Sequence, residues 1–242
     1  MPYRLLDRFR SLFDGVRYRH RDSSLGDSVA WCLPEDLYAL GKSKKFNSRV
    51  DARQSVLNVQ NRLRGIHARR GDGTFGEIIP HAIAEDVPGF VVARGLIATV
   101  EIGTEVKILA KAMIKQIDRV MNDLQNQERE FGGAGGNPIS LGIVGINQAD
   151  HYVSYEGDVA WPTGIRGNKH PIQEAAEAER RLLSRAAPAF DEFLILRFRA
   201  WNEPPHRFEW VNEGQTRMDY GAVLRTCQEI IASYNWFEGA IV

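Results

Sequence analysis

Eight consecutive residues, Ile139-Ser-Leu-Gly-Ile-Val-Gly-Ile146, restrict the fold more than any other stretch of this chain. A strand points successive side chains to opposite faces, so a run that is apolar at both parities must be covered on both. Such a strand belongs in the middle of a parallel sheet with helices on either side. Just upstream, Met113, Ile114, Ile117, Val120, Met121 and Leu124 recur at helical spacing. They follow a second aliphatic run, Val106 to Leu109. Strand, helix and buried strand in that order make a β-α-β crossover. The fold read from the sequence is therefore α/β, a mixed central sheet flanked by helices. The chain's 242 residues suffice for one sizeable core.

Charge is set into the most apolar part of that framework. Leu96 to Val100 and Val106 to Leu109 read as strands, with Phe90 to Ala93 leading in and a bend at Gly95, yet Glu101, Glu105 and Lys107 interrupt them. Charges in a packed strand are costly unless paired, bound to metal or turned into a wet cleft. Glu105 and Lys107 share a face about 6.6 Å apart, which suits one metal and one scissile group. Glu101 lies roughly 13 Å away in a straight strand. A hairpin or bulge at Ile102-Gly103-Thr104 would bring it opposite Glu105, with Gly103 supplying the permissive backbone. The competing reading is a same-face ion pair on an exposed sheet surface.

Glu105-Val106-Lys107, an acid, any residue and a lysine on an apolar strand before a helix, resembles the second half-motif of the PD-(D/E)XK, or restriction-endonuclease-like, nucleases. Their order of helix, strands, helix and strand resembles residues Asn47 to Ile146. The resemblance implies a restriction-endonuclease-like core and metal-dependent hydrolysis of DNA in a restriction or defence setting. Glu101, Glu105 and Lys107 would be catalytic; Glu101, Glu105 and Glu77 would hold the metal. Asp86 is the other choice for the family's first acid, and the family further implies a homodimer. Carboxylates beside a lysine suit Mg²⁺ or Mn²⁺, hard ions that prefer oxygen ligands. Neither cysteine nor any histidine shows zinc-ligand spacing, and Gly-x-Ser-x-Gly is absent.

The net charge is zero, but residues 1–70 carry fifteen Lys or Arg against seven Asp or Glu. That imbalance is compatible with a phosphate-binding face, and DNA is the expected partner ahead of RNA or a nucleotide ligand. The periodicity of Val56, Val59, Leu63 and Ile66 predicts a helix from Asn47 or Ser48 to about Arg70. Arg62, Arg69 and Arg70 on it, with Lys111 and Lys115 further on, are the candidate nucleic-acid contacts. Leu5, Leu6, Phe9 and Phe13 predict a short amphipathic helix packing on the main body. Residues 1–46 thus read as a peripheral basic helical element, and 47–242 as a single α/β nuclease-like domain. A non-catalytic nucleic-acid-binding or regulatory module of the same fold is the alternative.

No apolar run of about 18 residues predicts a membrane span, and the arginine-rich first twenty residues do not resemble a secretory signal. Cys32 and Cys227, far apart in sequence, point to a reducing, cytoplasmic compartment. Gly132 to Gly136 reads as a loop without the lysine of a phosphate-binding one. Asn147 to His170 is a polar, aromatic loop beyond the central strand, where such sheets often bind ligands. Its His151 is either a general base or a hydrogen-bonded structural residue. A helix at Pro171–Ala187, strands at Phe193–Phe198 and Arg207–Val211, and a final helix capped by Asp219 complete the reading.

Overall fold

In the computed structural model the 139–146 run forms the middle of a seven-stranded sheet, all nine residues of its strand buried. The structure describes residues 3–19, 22, 24–58, 72–111, 113–132, 137–155, 160–162 and 171–233. In chain order the elements are α1 (Arg4–Ser11), α2 (Ser24–Ala30), α3 (Cys32–Leu40), α4 (Lys44–Asp51), β1 (Ser55–Asn58), β2 (Gly73–Glu77), β3 (Arg94–Gly95) and β4 (Ile102–Leu109). There follow α5 (Met113–Gly132), β5 (Ile139–Asn147), β6 (His151–Val153), β7 (Ala160–Pro162), α6 (Pro171–Arg181), β8 (Glu192–Ala200), β9 (Phe208–Trp210) and α7 (Glu213–Ser233).

The sheet order is β3-β1-β2-β4-β5-β8-β9. β4, β5 and β8 are mutually parallel and are joined through α5 and then α6, the expected crossover written twice. β1 and β2, β2 and β4, and β8 and β9 pair antiparallel, so the sheet is mixed. Alternation along β5 divides the core. Leu141 and Ile143 pack with α1, α3 and α7 through Leu5, Leu33 and Leu224. Val144 and Ile146 pack with α5 and α6 through Ile117, Leu124 and Ala178. The sheet is thus closed on both faces, as its double-sided hydrophobicity requires.

Three sequence readings need correction. The helix expected from residue 47 to 70 stops at Asp51, and the chain turns at Arg53 with φ 54°. β1 follows, with Val56 and Leu57 buried between β2 and β3. Burial on both sides outweighs the i, i+3 coincidence that mimicked a helix. The rest of that expected helix, with Arg62, Arg69 and Arg70, lies outside the described residues. The first 46 residues are not peripheral: Leu5 and Phe9 of α1 and Leu33 and Leu37 of α3 are fully buried in the same core as the sheet. The strand expected at 96–100 reduces to a single bridge between Ile78 and Ile97.

Elsewhere the differences are local. Asn212, not Asp219, caps α7, its side chain accepting from the Gln215 amide at 2.9 Å. The 147–170 segment carries a small β6–β7 hairpin. No helix among the described residues is long and apolar enough to cross a membrane.

Candidate active site

The expected hairpin at Ile102-Gly103-Thr104 does not form. These residues run straight through β4, paired with β2 on one side and β5 on the other. Gly103 is a contact glycine, because a Cβ there would lie 2.5 Å from the Phe131 ring of α5. The carboxylate facing Glu105 therefore comes from another strand. Gly73 pairs with Thr104, so the antiparallel register carried one step further sets Asp72 opposite Glu105. The Asp72 amide approaches Glu105 Oε2 at 3.4 Å, and Asp72 Oδ2 accepts from the Val106 amide at 2.8 Å. Lys107, one alternation along, donates to Glu105 Oε1.

Glu105 is buried and Asp72 partly so. Burial, and next the neighbouring Glu105 carboxylate, push the Asp72 carboxyl up to about 8; Lys107 and the Val106 amide oppose the rise, and Asp27 of α2 adds to it. Burial likewise raises Glu105 against the pull of Lys107. Burial alone would lower the Lys107 ammonium, but Glu105 outweighs it and the net shift is upward. With both carboxylates ionised and one ammonium between them, the group would carry an excess of negative charge in a low-dielectric setting, which protonation of Asp72 or a bound cation relieves.

Asp72 and Lys107 line a cleft of about 320 Å³ between α2 and α5, with Gly26, Gln116, Arg119 and Asp123 among its other walls, and Glu105 lies buried behind them. A larger hollow of about 650 Å³ lies along α7 beside Tyr3, Met218 and Arg225, and among its described lining residues the only carboxylate is Asp219. The smaller cleft is the one that Asp72 and Lys107 line. Gly26 leaves its floor open: a Cβ there would stand 3.0 Å from Asp72 Oδ2 and 3.5 Å from the Val106 carbonyl oxygen. A pair of carboxylates, a main-chain carbonyl and room for water fit Mg²⁺ or Mn²⁺, which keep several waters and take one or two carboxylates. Among the described residues no group of three or more His, Cys, Asp or Glu gathers to hold a metal ion, so protein carboxylates here number two and water would complete any shell.

The other predicted ligands stand elsewhere. Glu101 is buried at the start of the β4 run, where Arg49 Nη2 donates to it at 2.7 Å and the Ser55 hydroxyl at 3.1 Å. Arg49 Nε also donates to Ser55 Oγ at 2.9 Å, closing the triangle. Glu77 pairs with Ser55 at the far end of β2 from Asp72, and its charge acts on Arg49 and Glu101. Neither Glu101 nor Glu77 joins Glu105, because an unbroken strand separates the two clusters. Asp86 forms an exposed bidentate pair with Arg53. Lys111 donates to Ser154 Oγ at 2.7 Å, and Lys115 is exposed on α5.

His151 stands between Asp150 and Glu203, each at 2.9 Å, apart from the carboxylate pair. Asp72 is the functional residue that sequence reasoning missed. Its signal was an acid in Gly-Asp-Gly at the mouth of a strand, visible only once β2 and β4 are in register. Comparison of the chain with protein-family models, curated proteins and solved structures finds no match.

Proposed function

We propose that the chain is a Mg²⁺-dependent nuclease of the PD-(D/E)XK kind, hydrolysing DNA phosphodiester bonds. The observation that carries this reading is Asp72 set across an antiparallel pair from Glu105, with Lys107 two residues on and paired to it. The succession α4, β1, β2, the short edge strand β3, β4, α5, β5 further supports a restriction-endonuclease-like core. On this reading Asp72 takes the part of the family's first acid, which had been expected at Glu101.

Asp72, Glu105 and the Val106 carbonyl would hold the ion. Bound there, Mg²⁺ supplies Lewis-acid polarisation of a phosphoryl oxygen and acidifies a water. Lys107 has a separate task. Its ammonium, held by Glu105 yet 27% exposed to the cleft, can orient the attacking water or offset negative charge developing on phosphorus-bound oxygens. Gln116 and Arg119 line the opposite wall, where they can contact phosphate. The setting is of restriction or defence type, in which a homodimer would deliver two symmetric cuts.

The test is Mg²⁺-dependent loss of supercoiled and linear DNA by wild type and by Asp72→Asn, Glu105→Ala and Lys107→Ala. Each variant should cut at least roughly 10³-fold more slowly while still binding DNA. Binding without cutting by the wild type would transfer the assignment to a non-catalytic nucleic-acid-binding module.

A further inference from the structure

A basic hollow adjoins the cleft. It measures about 270 Å³ and shares Tyr18 and Asp22 with the cleft, so the two form one continuous depression. Its walls carry Arg8 from α1 and Arg17 and Arg19 from the segment that follows. Among the described residues of its lining, Arg8, Arg17 and Arg19 are the cations and Asp22 the acid, whose carboxylate accepts from the Ser24 amide at 3.1 Å and the Ser24 hydroxyl at 2.6 Å.

Arg17 and Arg19 are held by the segment that follows β6 of the small β6–β7 hairpin. Arg17 donates to the carbonyls of Ser154 and Tyr155 at 3.1 and 3.2 Å. The guanidiniums of Arg17 and Arg19 both lie over the Tyr155 ring, at 5.0 and 5.1 Å from its centroid. Arg8 is steadied by Ser28 Oγ at 2.9 Å, with Arg8 and Arg19 both exposed. Like charges gathered over one ring repel one another, and a row of anions relieves that repulsion. Across the cleft, Arg119 of α5 stands on the other side of the Asp72–Glu105 pair, with Asp123 one turn further along the helix.

We infer that this depression is the track of the substrate strand. DNA would run from Arg119, past Asp72, Glu105 and Lys107, and out over Tyr18 to Arg8 and Arg19, which contact its phosphates. The inference rests on the nuclease reading for its direction, but the basic surface has its own measurable consequence. Phosphate contacts release counterions, and each one lost lowers the slope of log affinity against log salt by about 0.9 for duplex DNA.

The experiment compares wild type, Arg8→Ala/Arg19→Ala and a charge-matched control, Arg10→Ala/Lys42→Ala, whose residues lie off the depression. Binding of a fluorescent 30-base-pair DNA is followed across a salt series in Ca²⁺, and cutting of the same DNA in Mg²⁺. The Arg8/Arg19 variant should lose roughly two units of salt slope and bind roughly tenfold more weakly at moderate salt. Its KM should rise with kcat unchanged, and the control should match wild type. If wild type cuts and the Arg8/Arg19 variant keeps both slope and KM, the track is wrong and the nuclease reading stands. If wild type binds but never cuts, while the slope still falls in the variant, the track stands and the nuclease reading fails. No binding by wild type overturns both.

Discussion

Glu101 and Glu105 belong to one extended run and one parity of it, yet they do different things. At the Glu101 end a fork of three hydrogen bonds joins Arg49, Ser55 and Glu101, and the two charged side chains are only 12% and 7% exposed. There Arg49 Nε and Nη2 and the Ser55 hydroxyl each meet an acceptor inside the fold. At the Glu105 end a second acid arrives from β2, the single lysine is more exposed, and the group faces a cleft. A closed buried pair positions strands; an open one with surplus negative charge can act on something brought to it.

The largest effect expected from this contrast is on rate. Asp72→Asn or Glu105→Gln should lower DNA cutting at least roughly 10³-fold, equivalent to about 4 kcal/mol of transition-state stabilisation. Glu101→Gln should stay within about threefold of wild type, as removal of a group outside the reaction does. Plasmid-cleavage kinetics decide it, and equal losses at both ends would erase the distinction drawn here.

Stability should run the other way. Glu101→Ala removes the acid paired with the largely buried Arg49 guanidinium and should cost roughly 3 kcal/mol in urea denaturation. Glu105→Gln, which relieves repulsion with Asp72, should cost less than about 1 kcal/mol. A smaller effect belongs to Gly26→Ala. Its methyl would press on Asp72 Oδ2 at 3.0 Å and should weaken Mg²⁺ activation roughly tenfold with little change in melting.

The subtlest effect is a pH slope. The Asp72 carboxyl lies at about 8, above its ordinary 3.8, so folding favours its protonated form. The stability this contributes is whole below pH 3.8 and drains away as pH rises through 8. Melting of wild type without divalent ions should therefore fall, relative to Asp72→Asn, between pH 4 and 8. Mg²⁺ added at pH 8 should raise the wild type's melting point and leave Asp72→Asn unmoved.

The layering of the fold was legible because burial on both faces writes itself into consecutive residues, as it does in Ile139 to Ile146. The site was half legible. Glu105 and Lys107 are local, since strand alternation alone puts them together. Asp72 is thirty-three residues away and meets Glu105 only through strand pairing, which periodicity does not encode. Gly103 misled for a related reason: a glycine that makes room for Phe131 looks, in sequence, like one that turns a hairpin. The helix expected through residue 70 failed at Val56, which opened an i, i+3 stripe in sequence but which, with Leu57, is buried in a strand paired on both sides.

A Mn²⁺ soak with an anomalous difference map tests the central claim most directly. A single strong peak between the carboxylates of Asp72 and Glu105, within bonding distance of the Val106 carbonyl oxygen, is the predicted result. A peak beside Glu101 and Glu77 instead, or none at saturating Mn²⁺, would contradict it.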